Sequence, residues 1–259
     1  MDKVWRFDED YTRNYTKARQ EVISKFLADV KDAMHLVSAL DVGCGVGHFS
    51  KFLSDLGFRV VAVDGRQENA AEGKRRYPGI TFVTKNAEDP ELPQMGTFDF
   101  VLCVGLIYHL ENPFRTIRSL YSLTGKVLIV EAMCAPGIEP SLRLVDEISG
   151  EDQGLNYVAF YPTESCLVKM LYRSGFPYVY SFETLPNYSL FHASLWRRKE
   201  RTMVVASKAP LRTKGLKLFP DVQGSWEILL TPRERLRQQW ERVVGFLRAR
   251  VSNGRVHGQ

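Results

Sequence analysis

The sequence DVGCGVG at residues 41–47 places three glycines at alternate positions, directly after the apolar segment LVSALDV at 36–42. An apolar run without polar alternation is typical of a strand that is buried in a parallel sheet. Glycine lets the backbone turn sharply and approach a ligand closely. Together these features predict a strand that ends in a tight, ligand-binding loop, followed by a helix at 48–56.

Strand and helix patterns alternate along most of the chain. Strands are predicted at 36–42, 59–64, 80–84, 98–105, 126–133, 178–185 and 201–207, and helices at 18–34, 48–56, 67–77, 112–123 and 163–175. This alternation predicts an α/β fold with a Rossmann-like, doubly wound sheet of seven mostly parallel strands and an antiparallel last strand. Two long connections, 134–162 and 186–200, interrupt the pattern, and we expect them to form the rim of an active site.

The composition limits the class of protein. The chain has 259 residues, of which 44% are hydrophobic and 25% charged, as in an ordinary soluble globular protein. No apolar run reaches the roughly 18–20 residues that a membrane helix needs. The N-terminal sequence is mixed in charge, so we expect a cytoplasmic protein without a membrane partner. The four cysteines stand far apart and match no metal-binding pattern, which predicts that no metal is bound.

Basic residues are concentrated at the C-terminal end. Residues 209–259 hold ten Lys or Arg against four Asp or Glu, a balance of +6, whereas 1–208 have a balance of −1. We predict a main domain at 1–208, with an N-terminal helical lid at about 1–35, and a basic extension at 209–259. In the extension, TPRE at 231–234 is a capping box that predicts a helix at about 232–250.

The glycine spacing distinguishes between two kinds of ligand. Gly43, Gly45 and Gly47 form G-x-G-x-G, whereas a dinucleotide binder uses G-x-G-x-x-G to hold a pyrophosphate at a helix N-terminus. Asp64 ends the second strand about 20 residues later, where a carboxylate can accept hydrogen bonds from both hydroxyls of a ribose. The alternative for Asp64 is a helix N-cap.

A polar turn, NAEDPELP at 86–93, follows the third strand. Asn86 or Glu88 can accept a hydrogen bond from an adenine amino group, while the backbone of Ala87 pairs with the ring. The alternative is a turn without a ligand.

Four motifs, DVGCGVG (41–47), VAVDG (61–65), NAED (86–89) and FDFVLCVGLIYHLENP (98–113), resemble in order and spacing the first four motifs of class I S-adenosylmethionine (SAM) dependent methyltransferases. The resemblance covers about residues 36–208 and implies this fold, methyl transfer and SAM as the cofactor. Asn86 departs from the many relatives that have Asp there, but its amide oxygen can still accept. The SAM contacts that the resemblance implies are Asp41, Gly43, Cys44, Gly45, Gly47, Asp64, Gly65, Asn86, Ala87, Glu88 and the strand end Cys103–Leu106, which includes Cys103 and Val104.

Within this family, GLIYHLENP (105–113) and YPTESCLVKMLYRSGF (161–176) resemble a branch that includes the tRNA wobble-uridine carboxymethyltransferase. Tyr11 and Tyr15 lie in the predicted lid and can cover SAM, because tyrosine combines apolar area with a polar tip. The alternative is that these rings anchor the first helix to the core.

Three side chains are candidates for catalysis. Tyr108 and His109 follow the fourth strand, at the edge where open α/β sheets hold their ligands. His109 can act as a general base, since imidazole titrates near neutrality, and Tyr108 can orient the substrate. Glu131, near the end of the fifth strand, is a second candidate base. The alternatives are a structural histidine and a buried, hydrogen-bonded carboxylate.

Several functions remain open at this point. The leading hypothesis is transfer of a methyl group to an O or N of a small molecule by a monomer or homodimer. The others are an RNA-modifying transferase, a SAM-binding subunit without catalysis, and a nucleotide-dependent oxidoreductase. The glycine spacing and the His-Leu pair after the fourth strand disfavour the oxidoreductase.

If RNA is the acceptor, we expect RNA binding that weakens steeply with salt, because Lys and Arg release counterions from phosphates. Binding should disappear when residues 209–259 are removed. Filter binding over a series of NaCl concentrations measures both effects. Absent or salt-insensitive binding would instead indicate that the arginines form a solvated helix face.

Overall fold

A computed structural model describes residues 3–150, 152–196, 198–221 and Trp240. Residues up to Asp221 form one compact unit. The predicted helix at 232–250 and most of the basic extension lie outside the described residues. None of the helices in the described ranges is both long and apolar enough to cross a membrane.

Ten strands are present in the described residues: β1 (Ser38–Val42), β2 (Arg59–Asp64), β3 (Thr81–Thr84), β4 (Phe98–Val104), β5 (Thr124–Met133), β6 (Leu142–Asp146), β7 (Val158–Pro162), β8 (Tyr178–Phe182), β9 (Arg201–Ser207) and β10 (Leu216–Leu218). Eight of them form one sheet in the order β10-β8-β9-β5-β4-β1-β2-β3. The five strands from β5 to β3 are mutually parallel, and β9 is antiparallel to both β5 and β8. The predicted Rossmann-like fold is thus confirmed.

The sheet has one strand more than the seven that were predicted. Strand β10 pairs with β8 in antiparallel orientation, with Leu216 opposite Phe182. It lies beyond residue 208, so the structural unit extends further than the predicted domain boundary. The strand has three residues, too short for a periodic pattern to reveal it. A deletion that is meant to remove only the basic extension should therefore start at 222.

Helices cover both faces of the sheet. They are α1 (Asp10–Val30), α2 (His48–Asp55), α3 (Gln67–Arg76), α4 (Pro113–Leu123) and α5 (Glu164–Ser174). Four of them agree closely with the prediction, whereas α1 starts eight residues before the predicted 18 and ends before the predicted 34. In the added residues 10–17 only Tyr15 and Thr16 are buried, which is too few to give an apolar periodicity. Its end is set by a turn in which His35 adopts a φ of 50°.

Residues 134–162 were predicted as an irregular connection, and the structure forms a hairpin within them. Strands β6 and β7 pair in antiparallel orientation. In β6, Leu142 and Leu144 are exposed, so the strand lacks a buried apolar face that a sequence pattern would show. The Phe160 N–H donates to the carbonyl of Leu110, which places the hairpin beside the segment that follows β4.

At the amino ends of the strands, one carboxylate joins three strands. Asp99 Oδ2 accepts from the backbone N–H of Val37 and from both the N–H and the hydroxyl of Ser38, each at 3.0 Å. Its other oxygen pairs with Lys126 Nζ at 2.9 Å. Burial alone would raise the pKa of Asp99, but the hydrogen bonds from Ser38, Lys126 and Val37 hold it well below its ordinary value. The register of β1, β4 and β5 is fixed at this edge.

At the opposite edge, Asp41 connects the glycine loop to α2. Its side chain is buried, and its Oδ2 accepts from the hydroxyl of Ser50 at 2.6 Å. Burial raises the pKa of Asp41 to about 7, and the charge of Asp64 adds to this, while the Ser50 hydrogen bond acts in the opposite direction. Ionisation of Asp41 therefore requires more free energy in the folded protein than in the unfolded chain.

We expect Asp41→Asn to stabilise the protein relative to wild type increasingly as pH rises from 5 to 8. The pKa of Asp41 is about 7 when folded against an ordinary 3.8, so the folded state binds more protons between these values and loses stability as pH rises. The slope is at most about 1.4 kcal/mol per pH unit. The asparagine oxygen can still accept from Ser50.

Urea unfolding at pH 5 and pH 8 measures this difference in the free energy of unfolding. Asp32→Asn is the control, because the side chain of Asp32 is fully exposed. A difference between Asp41→Asn and wild type that does not change with pH would show that Asp41 ionises without cost.

Candidate active site

A cavity of about 320 Å³ lies at the carboxyl ends of the parallel strands. Parallel strands bring these ends to one edge, which explains why residues far apart in sequence meet there. The predicted site residues that line the cavity are Tyr11, Tyr15, Gly43, Cys44, Gly45, Asp64, Gly65, Asn86, Ala87, Val104, Tyr108 and His109. Most of the predicted cofactor residues and two of the three catalytic candidates are thus brought together.

Four predicted SAM contacts do not line the cavity. Asp41 is bonded to the first turn of α2, and Gly47 caps that helix with a φ of 93°. Glu88 accepts from the backbone N–H of Asn112 at 2.6 Å, and Cys103 is fully buried within β4. Through these contacts Asp41, Gly47 and Glu88 stabilise the loops and the helix next to the cavity. Cys103 instead packs in the core of the sheet.

Gly45 shows why the loop needs glycine. Its φ is +53°, and a Cβ at this position would lie 2.7 Å from Cε1 of Phe7. Its backbone N–H donates to Asp64 Oδ2 at 2.8 Å. The loop therefore packs closely against both the N-terminal segment and the end of β2.

Asp64 is held rigidly at the wall of the cavity. Its Oδ1 accepts from the Arg66 N–H at 2.9 Å and from Asn69 Nδ2 at 3.1 Å. Burial raises the pKa of Asp64, while the N–H groups of Arg66 and Gly45 partly offset this. Both oxygens have donors on the protein side, and the carboxylate borders the cavity where a diol could bind.

Glu131, a predicted base, forms a buried ionic network that we call the Glu131 cluster: Tyr15, Arg19, Tyr108, Glu131 and Arg201. Glu131 Oε1 accepts from Tyr15 at 2.7 Å and from Arg201 at 2.9 Å, and Oε2 accepts from Arg19 at 3.1 Å. Arg201 also donates to the Tyr108 hydroxyl at 2.8 Å. Burial raises the pKa of Glu131, but the two arginines hold it below its ordinary value. This geometry argues against Glu131 as a base and matches the buried-carboxylate alternative.

The two arginines of this cluster were not predicted as site residues, although both line the cavity. In each of them Nε is buried and has no hydrogen-bond partner within the part of the chain that is described. The sequence does contain a signal, since Glu131 and Arg201 are charged residues within or at the start of otherwise apolar strands. Charges in such positions require partners when they are buried.

The two predicted lid tyrosines differ in their surroundings. Tyr15 is buried and packs on Tyr188 and Phe191, with ring centroids 5.2 and 6.0 Å away. Tyr11 is more than half exposed and meets the edge of Tyr188 at 5.7 Å. Tyr15 thus anchors α1 while it also lines the cavity, so both readings of these aromatics describe part of the structure.

The hairpin supplies a wall that we call the cap segment, residues 147–155, in which 151 is not described. Arg66 donates to the carbonyls of Gln153 and Gly154 at 3.3 and 3.0 Å. Arg6 pairs with Asp152 at 3.2 Å. The predicted rim at 134–162 therefore does reach the cavity, whereas the other predicted rim, 186–200, contributes no lining residue in its described part.

The cap segment also reaches the predicted catalytic histidine. His109 Nδ1 lies 2.5 Å from Glu147 Oε1, and the other oxygen of Glu147 accepts from the Gly154 N–H at 2.9 Å. The rings of Tyr108 and His109 are 4.1 Å apart. Within the described ranges, no group of three or more His, Cys, Asp or Glu side chains is arranged to hold a metal ion.

A family model described as a methyltransferase domain matches residues 40–126. The chain is 35% identical over 183 residues to the tRNA U34 carboxymethyltransferase of Desulfotalea psychrophila, which covers 68% of this chain and 52% of the relative. It is 30% identical over 115 residues to the ubiquinone biosynthesis O-methyltransferase of Colwellia psychrerythraea, which covers 40% of this chain and 47% of the relative. The chain thus spans about half the length of these curated relatives.

Among solved structures, magnesium protoporphyrin IX methyltransferase from Synechocystis with bound SAH has the same fold. The TM-score is 0.55 at 18% identity, over 81% of this chain and 90% of the other. The methyltransferase domain match and this fold support the same assignment as the four sequence motifs. The chain thus contains a methyltransferase domain and has the fold of the class I SAM-dependent methyltransferases.

Proposed function

We propose that the chain binds SAM in the cavity and transfers its methyl group to an oxygen or nitrogen of a small-molecule acceptor. The observation that carries this proposal is the rigid carboxylate of Asp64 at the end of β2, bordering the cavity beside the Gly45 turn. A carboxylate in this place suits the two hydroxyls of a ribose, each of which can donate one hydrogen bond to it.

The other cavity residues fit the remaining parts of SAM. Asn86 and Ala87 border the cavity after β3, where an amide oxygen and backbone groups can pair with adenine. At the opposite side, a Cβ built on Gly105 would lie 3.7 Å from an Arg19 nitrogen. We assign the carboxylate of the methionine moiety to Arg19, whose buried Nε has no protein acceptor in the described structure.

Charge in the Glu131 cluster supports this assignment. The two guanidinium groups of the cluster share one carboxylate, so one positive charge is left uncompensated within it. An anionic ligand group next to Arg19 would balance that charge. Burial raises the pKa values of Tyr15 and Tyr108 above the ordinary range, so neither hydroxyl contributes a negative charge at neutral pH.

SAM supplies an electrophilic methyl group on a sulfonium. The chain has to align the acceptor atom with that methyl group and receive a proton if the acceptor carries one. His109 borders the cavity and is the group that we propose as the base. Tyr108, fixed by Arg201 at 2.8 Å, orients the acceptor, and the cap segment restricts access of water.

Transfer to RNA is a second candidate, which the tRNA U34 carboxymethyltransferase relatives support. It would use the basic extension, most of which lies outside the described residues. A SAM-binding subunit without catalysis would bind SAM but show no turnover. A cytoplasmic location and a monomeric or homodimeric state stay predictions.

We expect Asp64→Ala to weaken SAM binding at least about 100-fold, because two hydrogen bonds to a charged group are lost. Calorimetry with SAM measures the affinity, and circular dichroism checks that the variant is folded. Asp32→Ala is the control, since that carboxylate is fully exposed and does not line the cavity. Near-normal affinity in Asp64→Ala would contradict the ribose assignment. Tight binding of NAD without SAM binding by the wild type would refute the proposed function.

We expect His109→Ala to bind SAM normally and to lose turnover by about 10²- to 10⁴-fold, the usual contribution of a general base. Transfer of label from methyl-tritiated SAM into metabolite and RNA pools measures turnover and also separates the two acceptor classes. His35→Asn, at an exposed turn, is the matched control. Unchanged turnover in His109→Ala would leave His109 with a structural role.

A further inference from the structure

We propose that Glu147 is the positioning residue for His109: it holds the imidazole proton on Nδ1, so that Nε2 is the nitrogen that takes the proton of the acceptor. This inference rests on the proposed methyl transfer and adds a residue to its machinery.

The geometry of the pair is specific. Glu147 Oε1 and His109 Nδ1 are 2.5 Å apart, and the side chains are only 3% and 10% exposed. A hydrogen bond in so buried a place is not weakened by competing water. Since a carboxylate only accepts hydrogen bonds, Nδ1 must be the protonated nitrogen, and Nε2 of the neutral ring then keeps its lone pair.

The second oxygen of Glu147 also accepts a hydrogen bond from the protein. It accepts from the Gly154 N–H at 2.9 Å, while Arg66 donates to the carbonyl of the same residue. A Cβ on Gly154 would lie 2.4 Å from the carbonyl oxygen of His109. The cap segment is therefore packed directly against His109, and its backbone fixes the orientation of the carboxylate.

Two tyrosines lie next to the pair, and Arg201 donates to the hydroxyl of one of them, Tyr108. The Tyr108 ring stacks at a tilt on His109, and Tyr161 meets the edge of Tyr108 at 5.5 Å. Burial raises the pKa of Tyr161, and the nearby Glu147 and Tyr108 add to this. For Glu147, burial acts to raise the pKa, but His109 and the Gly154 N–H hold it below its ordinary value. Glu147 is thus an anion beside neutral phenols.

In the proposed step, the lone pair of the acceptor atom forms the new bond to the methyl carbon. The bond between that carbon and sulfur breaks, and its electron pair stays on sulfur, which gives SAH. The acceptor proton goes to Nε2 of His109. The imidazolium that results is stabilised by Glu147 through Nδ1 and later loses the proton to solvent.

Glu147→Gln tests this arrangement because the amide has one acceptor and one donor. The Gly154 N–H requires an acceptor, so the amide oxygen turns toward it and the NH₂ group faces His109. Nδ1 must then accept, and the proton moves to Nε2. We expect the tautomer to invert, which removes the base although the shape of the side chain is conserved. Glu147→Ala frees the ring without inverting it.

The experiment uses the full chain saturated with SAH. Long-range ¹H–¹⁵N spectra at alkaline pH identify the protonated ring nitrogen, and the His109 signals are assigned by their loss in His109→Gln. We expect Nδ1–H in wild type, Nε2–H in Glu147→Gln, and the wild-type form in Asp146→Asn, which changes the exposed neighbouring carboxylate. Turnover with the acceptor pool should fall further in Glu147→Gln than in Glu147→Ala, toward the level of His109→Ala.

An Nε2–H tautomer in wild type, or an Nδ1–H tautomer that persists in Glu147→Gln, would overturn the positioning role while SAM binding and methyl transfer still stand. Equal turnover in Glu147→Gln and Glu147→Ala would also overturn it, because a purely structural carboxylate predicts no such order. Failure of the wild type to bind SAM in calorimetry would refute the proposed function and this inference together.

Discussion

The carboxylate of Glu131 is the constraint on which the cavity depends. It is fully buried and accepts hydrogen bonds from Tyr15 of α1 and from Arg201 of β9. Arg201 also donates to the hydroxyl of Tyr108, in the segment after β4. A buried charge is tolerated only when it is paired and hydrogen-bonded, and removal of a partner leaves an uncompensated charge. The N-terminal helix therefore cannot leave the sheet without exposing this network. Glu131 is in this sense the reason that α1 forms a wall of the cavity.

Two series of hydrogen bonds end at adjacent residues of the segment after β4, Tyr108 and His109. One runs from Glu131 through Arg201 to Tyr108, and the other runs from Gly154 through Glu147 to His109. Two adjacent side chains are thus each oriented by a charged partner, one from the sheet and one from the hairpin. The strand end comes from the parallel part of the sheet, whereas the side chains that orient Tyr108 and His109 come from β9 and from the hairpin. This division is common in α/β enzymes, in which loops carry the variable chemistry.

Local sequence patterns were sufficient to predict most of the strands and helices and part of the candidate site. The apolar strands, the glycine turn and the position of Asp64 follow from residues that are close in sequence, and the structure places them as predicted. Arg19, Arg201 and Glu147 were missed because their roles arise from pairings over 112, 70 and 38 residues. The start of α1 was missed for a similar reason, since Tyr15 is buried by its distant partners Glu131, Tyr188 and Phe191 rather than as part of an apolar periodicity. Glu131 stood out as a charge in an apolar strand, but only its neighbours reveal that it is an ionic anchor.

The cap segment is fastened unequally at its two sides. On one side, Arg66 donates to the backbone carbonyls of Gln153 and Gly154. On the other side, Arg6 and Asp152 form a pair whose side chains are 42% and 31% exposed. An exposed pair of this kind contributes at most about 1 kcal/mol and is screened by salt. Higher ionic strength would therefore weaken the contact between Arg6 and the cap segment more than the contacts that Arg66 makes with the backbone of Gln153 and Gly154. The two attachments of the cap segment thus differ in their sensitivity to salt.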